Sequence, residues 1–353
     1  MRRPFVPVVP VGYSPAAPAA PQNMSSVAPT VSVALCTWQG ERHVAAQLRS
    51  IAAQSVLPTQ VVVVDDASAD GTWAVLLHEA EALRAAGIEV VLRQQEQNVG
   101  YVRNFETALS ACSGDIVFLC DQDDVWHADK VATFLQAFAA RPTVQLLHSD
   151  ARLVDAQGRP LPATLFQALS ISRRDLDREH RGEGFELLMG RNLVTGAVTA
   201  LRRGLITQAL PVAKGWIHDE WLALVAAASG GLDCIEAITT DYRQHGDNQV
   251  GARQRGLLER AVGSGSARRT YLAAALARLR SLQEQARLGR PALDAAQLAT
   301  LDQRLRHAEA RACAPARLPS RMLHIARELG SGRYHRFSNG LRSAASDLVQ
   351  GIQ

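Results

Sequence analysis

Two aspartates separated by one residue stand where an apolar run of the sequence ends. Asp121 and Asp123 directly follow the segment IVFLC. A carboxylate pair with this spacing can hold a hard divalent cation, because Mg²⁺ takes one or two carboxylates together with phosphate oxygens of a substrate. A solvated acidic turn or a helix N-cap would use the same residues. Asp124 adds a third acid and Trp126 an aromatic ring, and a bare turn requires neither.

A second acidic group and a histidine lie further along the chain. Asp219 belongs to the segment HDEW, which opens an apolar helical run. The helix dipole favours an acid there, so capping explains it. A carboxylate beside a crevice also serves as a general base for an acceptor hydroxyl within hydrogen-bond reach. His245 lies in a polar stretch with glycine and is either an exposed loop residue or an additional metal ligand.

The positions of these residues argue against several classes of site. Haloacid-dehalogenase-type phosphatases and response-regulator receivers carry their acids on the first strand, whereas here they follow the second and fourth predicted strands. The segment HDEWL lacks the second histidine of a HExxH zinc site. The chain contains no GxGxxG and no GxxxxGK motif, which argues against a dinucleotide oxidoreductase and a P-loop NTPase.

The elements that must position these residues alternate between strand and helix. From Val31 to about Ala156, short apolar strands such as VVVVDD are separated by helices such as ERHVAAQLRSIAAQ. This alternation predicts parallel βαβ units in an α/β, doubly wound, mostly parallel sheet. Ligands of such sheets bind at the carboxyl ends of the strands. The polar residues that follow strands one, two and four should therefore line one crevice.

Composition and pattern divide the chain into three parts. We predict a disordered Pro- and Ala-rich segment over residues 1–29, an α/β domain over 30–250 and a basic helical appendage over 251–353. The net charge of +4 hides this division, because residues 251–353 hold 18 Arg against 7 acidic residues, which leaves −7 for the first 250. The basic helices are either a solvated face or a surface for an anionic membrane. Only Tyr271 is aromatic between 271 and 330, which argues against nucleic acid as a partner.

Several features bear on the location of the protein. Seven of the 15 prolines precede residue 30 and would break the apolar helix of a signal peptide, so Met24 is a candidate true start. No run approaches the ~18 to 20 apolar residues of a membrane span. The five cysteines include no CxxC pair, and we expect Cys36 and Cys120, in apolar strands, to be buried reduced thiols. We therefore expect a cytoplasmic protein, in peripheral contact with the inner membrane if the basic helices bind lipid.

Five motifs in order carry a resemblance to a known family. They are CTWQGERHVAAQLRSIAAQS, VVVVDDASADGT, QNVGYVRNFETAL, CDQDDVW and HDEW. Over roughly residues 30–250 the chain resembles the family 2 glycosyltransferases, which have the GT-A fold. The segments DQDDVW, HDEW and YRQHGDNQVGA are most similar to the bacterial rhamnosyltransferases that build O-antigen and other surface polysaccharides.

The resemblance implies a role for individual positions. Those that match the family's nucleotide-sugar pocket are Thr37, Glu41, Asp65, Asp66, Asn98, Gly100, Asn104, Asp121 and Trp126. Asp121 and Asp123 match the DxD motif, with Asp123 the stronger candidate for metal contact. His245 would be a further metal ligand near the diphosphate. Asp219 matches the catalytic base.

The implied activity is an inverting, metal-dependent glycosyl transfer. A Mg²⁺ or Mn²⁺ ion bridging the diphosphate would stabilise the leaving group, while the base acts on the opposite face of the sugar. The expected donor is dTDP-L-rhamnose and the expected acceptor a glycan or lipid-linked oligosaccharide. Two alternatives stay open: the same fold with a UDP- or GDP-hexose donor, and a catalytically silent module that binds nucleotide or glycan.

Overall fold

The first half of the chain forms the alternating strands and helices that the sequence predicts. The structure, a computed structural model, describes residues 28–244 and 265–349. The elements of this half are β1 (Val31–Thr37), α1 (Val44–Ala52), β2 (Gln60–Asp65), α2 (Thr72–Ala85), β3 (Glu89–Gln94), α3 (Tyr101–Ala111), β4 (Ile116–Cys120), β5 (Val125–Trp126) and α4 (Lys130–Ala140). Strands β1, β2 and β4 are buried along their whole length, as unbroken apolar runs require.

The middle of the chain adds shorter helices and four further strands. In order these elements are β6 (Leu146–Val154), β7 (Pro160–Thr164), α5 (Leu165–Ala168), α6 (Arg173–His180), α7 (Gly184–Gly190), a 3₁₀ turn (Gly196–Val198), β8 (Thr199–Arg202), α8 (Arg203–Ala209), α9 (His218–Ala228) and β9 (Leu232–Arg243). The predicted helix at HDEW is therefore α9. The sequence reading treated 241–248 only as a polar stretch, whereas residues 241–243 are the end of the 12-residue strand β9.

The described strands join into one mixed sheet. Its order is β3-β2-β1-β4-β8-β6-β9-β5, with β7 paired to β6. The four strands β3, β2, β1 and β4 are parallel, so their carboxyl ends meet at one edge, as predicted. Strand β8 then runs antiparallel between β4 and β6, which makes β6 and its parallel neighbour β9 point the same way as β4. The carboxyl ends of β4 and β9 therefore also face a common edge.

The C-terminal region is helical, as predicted, and packs into the main core. Its helices are α10 (Gly265–Arg287), α11 (Ala295–Ala312), α12 (Leu318–Gly330), α13 (Arg333–Phe337) and α14 (Leu341–Val349). Leu276, Leu279 and Leu282 of α10 recur on one face and belong to the same apolar cluster as Trp221 and Leu222 of α9. Burying a leucine side chain contributes about 1.5–3 kcal/mol. These helices are therefore bound to the sheet domain by a shared core, a feature the sequence did not reveal.

Many arginines of this region have partners inside the protein. Asp347 is buried and accepts hydrogen bonds from Arg268, from Arg311 Nε at 2.8 Å and from the Tyr334 hydroxyl at 2.8 Å. Arg321 is 2% exposed and donates to the carbonyl oxygen of Pro315 at 2.9 Å, among others. Some of the arginines that make this region basic therefore bind groups inside the protein, and the helices are not a uniformly solvated basic face.

The structure bears on several other expectations. Cys36 and Cys120 are buried and free, as predicted. Within residues 28–244 and 265–349, no helix combines the length and apolar character needed to cross a bilayer. Almost all of the predicted disordered segment, the boundary at 250/251 and His245 lie outside the described residues, so those predictions stay untested.

Candidate active site

Asp65 lies at the end of β2 and fastens three strand exits together. Its carboxylate accepts hydrogen bonds from Thr37 Oγ1 at 2.8 Å, from the Ser68 hydroxyl at 2.6 Å and amide at 3.0 Å, and from Gln94 Nε2 at 3.2 Å. Thr37, Asp65 and Gln94 end the neighbouring strands β1, β2 and β3. Asp65 therefore shapes the crevice edge with both of its oxygens.

Asp66, the next residue, brings the loop before α3 to the same edge. Its carboxylate accepts from the backbone amides of Val99 at 2.7 Å and Gly100 at 2.9 Å. Asn98 Nδ2 donates to the Asp66 carbonyl at 3.4 Å. Gly100 has φ +84°, a left-handed conformation that costs glycine little. The structure thus brings Asp66, Asn98 and Gly100 together, although they are more than thirty residues apart in sequence.

Two other predicted nucleotide-side residues differ in exposure. Asn104 is 1% exposed, and its Nδ2 donates to the Val64 carbonyl at 2.8 Å, which ties α3 to β2. Glu41 is exposed and accepts from the Gly71 amide at 3.0 Å. Asn104 therefore supports the wall of the crevice from behind, whereas Glu41 stands at its rim.

Gln122, inside the DxD segment, clamps the exits of β1 and β4. Its Oε1 accepts from the Trp38 amide at 2.8 Å and its Nε2 donates to the Trp38 carbonyl at 3.0 Å. Gly40, two residues after Trp38, passes so close to Gln122 that a Cβ added there would overlap the Gln122 Oε1. The sequence reading missed Gln122, and the only signal for it was its place between two candidate ligands.

The three acids after β4 crowd one another. Burial, followed by the charges of Asp123 and Asp219, raises the pKa of Asp121 to about 7. Burial and the charges of Asp123 and Asp121 raise the pKa of Asp124 well above its usual range. Asp124 Oδ1 accepts from the Arg243 amide at 3.0 Å, and its Oδ2 is buried with no hydrogen-bond partner among the described residues. This site concentrates negative charge.

Lys130 lies beneath these acids and was not predicted. It is fully buried, and its Nζ donates to the Ala197 carbonyl at 2.7 Å and Thr240 Oγ1 at 2.9 Å, while lying 4.2 Å from the centre of the Trp126 ring. Burial lowers its pKa to about 7. Trp126 is itself 4% exposed and packs in the core against Phe118. The structure thus places Trp126 under the acidic segment, where it supports the segment through packing.

Asp219 occupies the first turn of α9, as predicted. Its Oδ2 accepts from the Gly196 amide at 2.8 Å and its Oδ1 from the Glu220 amide at 2.7 Å. Burial raises the pKa of its carboxyl, which these backbone hydrogen bonds and the charge of Arg278 oppose. The charge of Asp219 also raises the pKa of Asp121, so the two carboxylates lie near enough to interact.

A residue of the C-terminal region reaches this helix. Arg278 of α10 forms an ion pair with Glu220 and stacks over the Trp216 ring, 4.3 Å from its centre. Trp216 Nε1 in turn donates to the Arg278 carbonyl at 3.0 Å. The sequence reading counted Arg278 in the basic appendage and gave it no place in the site. Only the fold, by packing α10 on α9, brings it there.

His218 precedes the candidate base and has a structural role. Its ring stacks on Phe105 with centres 3.8 Å apart, and neither ring nitrogen has a hydrogen-bond partner among the described residues. Burial lowers its pKa to about 3. His218 is therefore neutral at physiological pH and acts as a packing residue.

The donor set after β4 fits a hard divalent cation. Carboxylate oxygens are the ligands that Mg²⁺ and Mn²⁺ prefer. Asp121 and Asp123 supply such oxygens, and a cation would relieve the repulsion that adds to burial in raising the pKa of Asp121.

Comparisons with known proteins agree with this geometry. Residues 32–184 match the family model of glycosyl transferase family 2. An uncharacterized protein of Mycobacterium tuberculosis is 26% identical over 217 residues, which cover 61% of this chain and 59% of the relative. The O-antigen biosynthesis protein RfbC of Myxococcus xanthus is 32% identical over 111 residues, 31% of this chain and 8% of that protein. The chain thus spans about three fifths of the length of the mycobacterial relative.

Solved structures share the fold. S. aureus TarS 1–349, in complex with UDP-GlcNAc, superposes with a TM-score of 0.54 at 16% identity, over 91% of this chain and 89% of that one. The mannosyltransferase PcManGT of Pyrobaculum calidifontis, in complex with GDP-Man and Mn²⁺, gives 0.50 at 20% identity, over 93% and 86%. Residues 32–184 are thus similar to glycosyl transferase family 2, and the chain has the GT-A fold of these solved structures.

Proposed function

We propose that the protein is an inverting, metal-dependent glycosyltransferase that moves a sugar from a nucleoside-diphosphate donor to a hydroxyl of a glycan or lipid-linked acceptor. The observation that carries the proposal is the crevice in which the Asp121–Asp123 pair and Asp219 come from different elements, the exit of β4 and the start of α9. The similarity of residues 32–184 to glycosyl transferase family 2 supports the reaction class.

In this proposal the exits of β1 and β2 and the loop before α3 bind the nucleotide. Asp66 and Asn98 already hold that loop against β2 through the hydrogen bonds described above, so the wall is formed before the donor arrives. Thr37, Asp65 and Asn104 keep the wall in place from within the fold. Glu41 and Asp66 are the acids that face the nucleoside.

Asp121 and Asp123 would hold Mg²⁺ or Mn²⁺, with His245 as a further ligand. When bound, the ion neutralises charge that develops on the departing diphosphate. The Mn²⁺ in the mannosyltransferase structure supports a divalent cofactor for this fold. Gln122 holds the pair in position, because its amide bonds on both sides to the Trp38 backbone.

Asp219 is the proposed general base. Hydrogen bonds from the amides of Gly196 and Glu220 fix its carboxylate, and its partial burial moves its pKa upward, toward the range in which a base is efficient. It would accept the proton of the acceptor hydroxyl as that oxygen attacks the anomeric carbon from the face opposite the diphosphate. A single displacement of this kind inverts the configuration.

For the donor we propose dTDP-L-rhamnose, on the resemblance to rhamnosyltransferases and the match to an O-antigen biosynthesis protein. A UDP- or GDP-hexose is the alternative, since the structures with the same fold hold UDP-GlcNAc and GDP-Man. We further propose that a cytoplasmic enzyme contacts an anionic membrane surface that carries the acceptor. Exposed Leu318, Met322 and Leu323 on α12, flanked by exposed Arg327, support such a contact.

The test combines binding and turnover. The parent protein is screened by thermal shift against nucleotide sugars with Mg²⁺ or Mn²⁺, because a ligand of the folded state raises its apparent stability. Transfer or hydrolysis of the stabilising donor is then measured for the parent, Asp219→Asn and the surface control Asp177→Asn. We expect Asp219→Asn to keep donor binding and lose about 10²–10⁴-fold in transfer rate. Binding without turnover in the parent would instead identify a silent binding module, and normal turnover by Asp219→Asn would remove it as the base.

A further inference from the structure

A buried cluster of metal-binding side chains lies away from the acidic crevice. His148 on β6, Glu179 on α6 and Cys234 on β9 each offer one donor atom, and these three atoms lie within 4.8 Å of one another. His148 and Cys234 are directly opposed in the pairing of β6 with β9. All three side chains are almost fully inaccessible to solvent. The fold thus brings a nitrogen, an oxygen and a sulfur donor from three separate elements to one point.

The cluster is incompletely hydrogen-bonded. His148 Nε2 and Glu179 Oε1 are 2.6 Å apart, but His148 Nδ1 and Glu179 Oε2 are buried without a partner among the described residues. Leaving a buried polar atom unpaired costs about 1–3 kcal/mol. Two such atoms on adjacent side chains indicate that the internal pair alone does not account for this arrangement.

A second pair of side chains borders the same sulfur. Donor atoms of His180 and Asp233 also lie within 4.8 Å of the Cys234 sulfur and of each other. His180 Nδ1 is 2.6 Å from Asp233 Oδ1, and Arg141 pairs with Asp233 Oδ2 at 2.9 Å. This pair has partners of its own, so it orients the surroundings of the sulfur, while the first three side chains retain unused donor capacity.

We propose that His148, Glu179 and Cys234 form a structural site for a borderline transition-metal ion of the Zn²⁺ type, with the His180–Asp233 pair beside its fourth position. Zn²⁺ is bound by thiolate, imidazole and carboxylate at about 2.0–2.3 Å, so its tetrahedral ligands lie roughly 3.3–3.8 Å apart. The 4.8 Å limit on the present separations leaves a small contraction for binding. A mixed sulfur and nitrogen set favours Zn²⁺ over Mg²⁺, which prefers oxygen ligands only.

This site is separate from the one in the crevice. Cys234 lies nine residues before Arg243, whose amide bonds to Asp124 at the other end of β9. On the neighbouring strand β6, His148 pairs with Cys234 and Val154 with Arg243, so at about 3.3 Å per strand residue the two sites are roughly 20 Å apart. The proposed ion therefore has no part in sugar transfer, and its effect would be to fasten α6 to β6 and β9.

Binding at this site must release a proton. Burial, with the charge of Glu179 next, raises the pKa of the Cys234 thiol, so the sulfur is protonated before the metal binds. Coordination replaces that proton by a metal–sulfur bond, and the proton passes to solvent.

The test uses the full chain and Co²⁺, which reports thiolate ligation directly. Metal content is measured on protein purified without chelator, and Co²⁺ is then added to the metal-free protein. We expect a thiolate-to-cobalt charge-transfer band that saturates at one Co²⁺ per chain. The band should be retained in Cys313→Ser, which changes an exposed cysteine, and in the crevice variant Asp121→Asn. The band should vanish in Cys234→Ser and weaken in His148→Gln.

Two outcomes would overturn the proposal. One is a parent protein that takes up Co²⁺ without a charge-transfer band, since the crevice carboxylates alone would then account for binding. The other is a band that persists in Cys234→Ser. A parent spectrum without the band overturns the proposal whatever the variants do, so a folding defect in Cys234→Ser leaves that arm of the test intact.

Discussion

The acidic crevice and the C-terminal helices treat buried charge in opposite ways. After β4, Asp121, Asp123 and Asp124 stand together, and burial, followed by the charges of neighbouring acids, raises the pKa of Asp121 and of Asp124. In the helices, Asp347 meets Arg311 and other donors, which lower its pKa despite its burial. The crevice therefore holds carboxylates whose repulsion a bound cation would relieve. In the helices, the buried carboxylate is already paired with arginines of the protein. This difference separates a binding region from a scaffold.

Among the changes that test this difference, Asp121→Asn should have the largest effect. Metal-dependent transfer should fall by about a hundredfold or more, because charge stabilisation by the ion is worth several kcal/mol. In the absence of divalent cation the variant should nevertheless melt at a higher temperature than the parent, since one of the crowded charges is gone. Initial rates over a Mn²⁺ series and thermal melts in EDTA measure the two effects. A lower melting temperature would contradict the contrast drawn above.

Asp347→Ala should lower the stability of the protein, whereas Asp121→Asn should raise it. Removing this carboxylate leaves the nearly buried guanidinium of Arg311 without a counter-charge, and breaking such a pair costs about 3–5 kcal/mol. The control Asp302→Ala breaks an exposed pair with Arg306 and should cost less than about 1 kcal/mol. Urea unfolding followed by tryptophan fluorescence gives both values. Equal values for the two variants would mean that burial does not distinguish these pairs.

Two of the buried histidines, His218 and His307, extend the contrast to pH. His218 in the crevice wall has a pKa of about 3, below the ~6.5 of an unfolded histidine, so only the unfolded state takes up a proton as the pH falls below that value. The protein should lose about 2 kcal/mol between pH 7 and pH 5 for this reason. His218→Phe should remove that loss. His307→Phe should destabilise the protein at both pH values, because His307 bonds to Glu328 and Ser338. Urea titrations at pH 7 and pH 5 compare the two.

Arg278 joins the two regions, and its removal should have a smaller effect. Its charge lowers the pKa of Asp219 and Glu220, so Arg278→Gln should raise the pKa of the proposed base. The acid limb of kcat/KM should then move up by roughly one pH unit, which is about tenfold in activity below that limb. The matched variant Arg280→Gln breaks an exposed pair with Glu309 and should leave the limb in place. A uniform loss of activity with an unmoved limb would point to a purely structural role.

The smallest effect concerns the exposed surface of α12. Met322 and Leu323 are each 54% exposed, and Arg327 is exposed beside them. Arg327→Gln should weaken binding to anionic vesicles by about fivefold, since one such charge near the surface is worth about 1 kcal/mol. Arg287→Gln, an exposed change on α10, serves as the control. Sedimentation with anionic vesicles at low salt gives both values, and an absence of binding by the parent would end the membrane proposal.

The alternating half of the fold could be predicted because its signals are local. Unbroken apolar runs such as Val61–Val64 identify buried parallel strands, and the order of strands then places Asp65, Asp121 and their neighbours at one edge. The start of α9 at His218 followed from an acidic turn before an apolar run. These inferences need only residues within about ten positions of one another.

What the sequence could not provide depends on distant contacts. Lys130 was one of only two lysines, yet nothing local indicates that its ammonium would be buried against Ala197 and Thr240. Arg278 was one of many arginines, and only the packing of α10 on α9 selects it. Local sequence patterns predict single helices and strands. The contacts of Lys130 and Arg278 depend on how helices and strands far apart in sequence pack together.

The apolar cluster shared by α9 and α10 should hold the two parts of the protein together even when the backbone between them is cut. Leu276, Leu279 and Leu282 hold the helices to Trp221 through side-chain packing rather than through the intervening chain. A protein cut once between residues 244 and 265 should therefore stay assembled. Two separately produced fragments, ending and beginning there, should recombine into one particle. Side-chain packing between α9 and α10, rather than the peptide connection between them, then keeps Arg278 beside the proposed base.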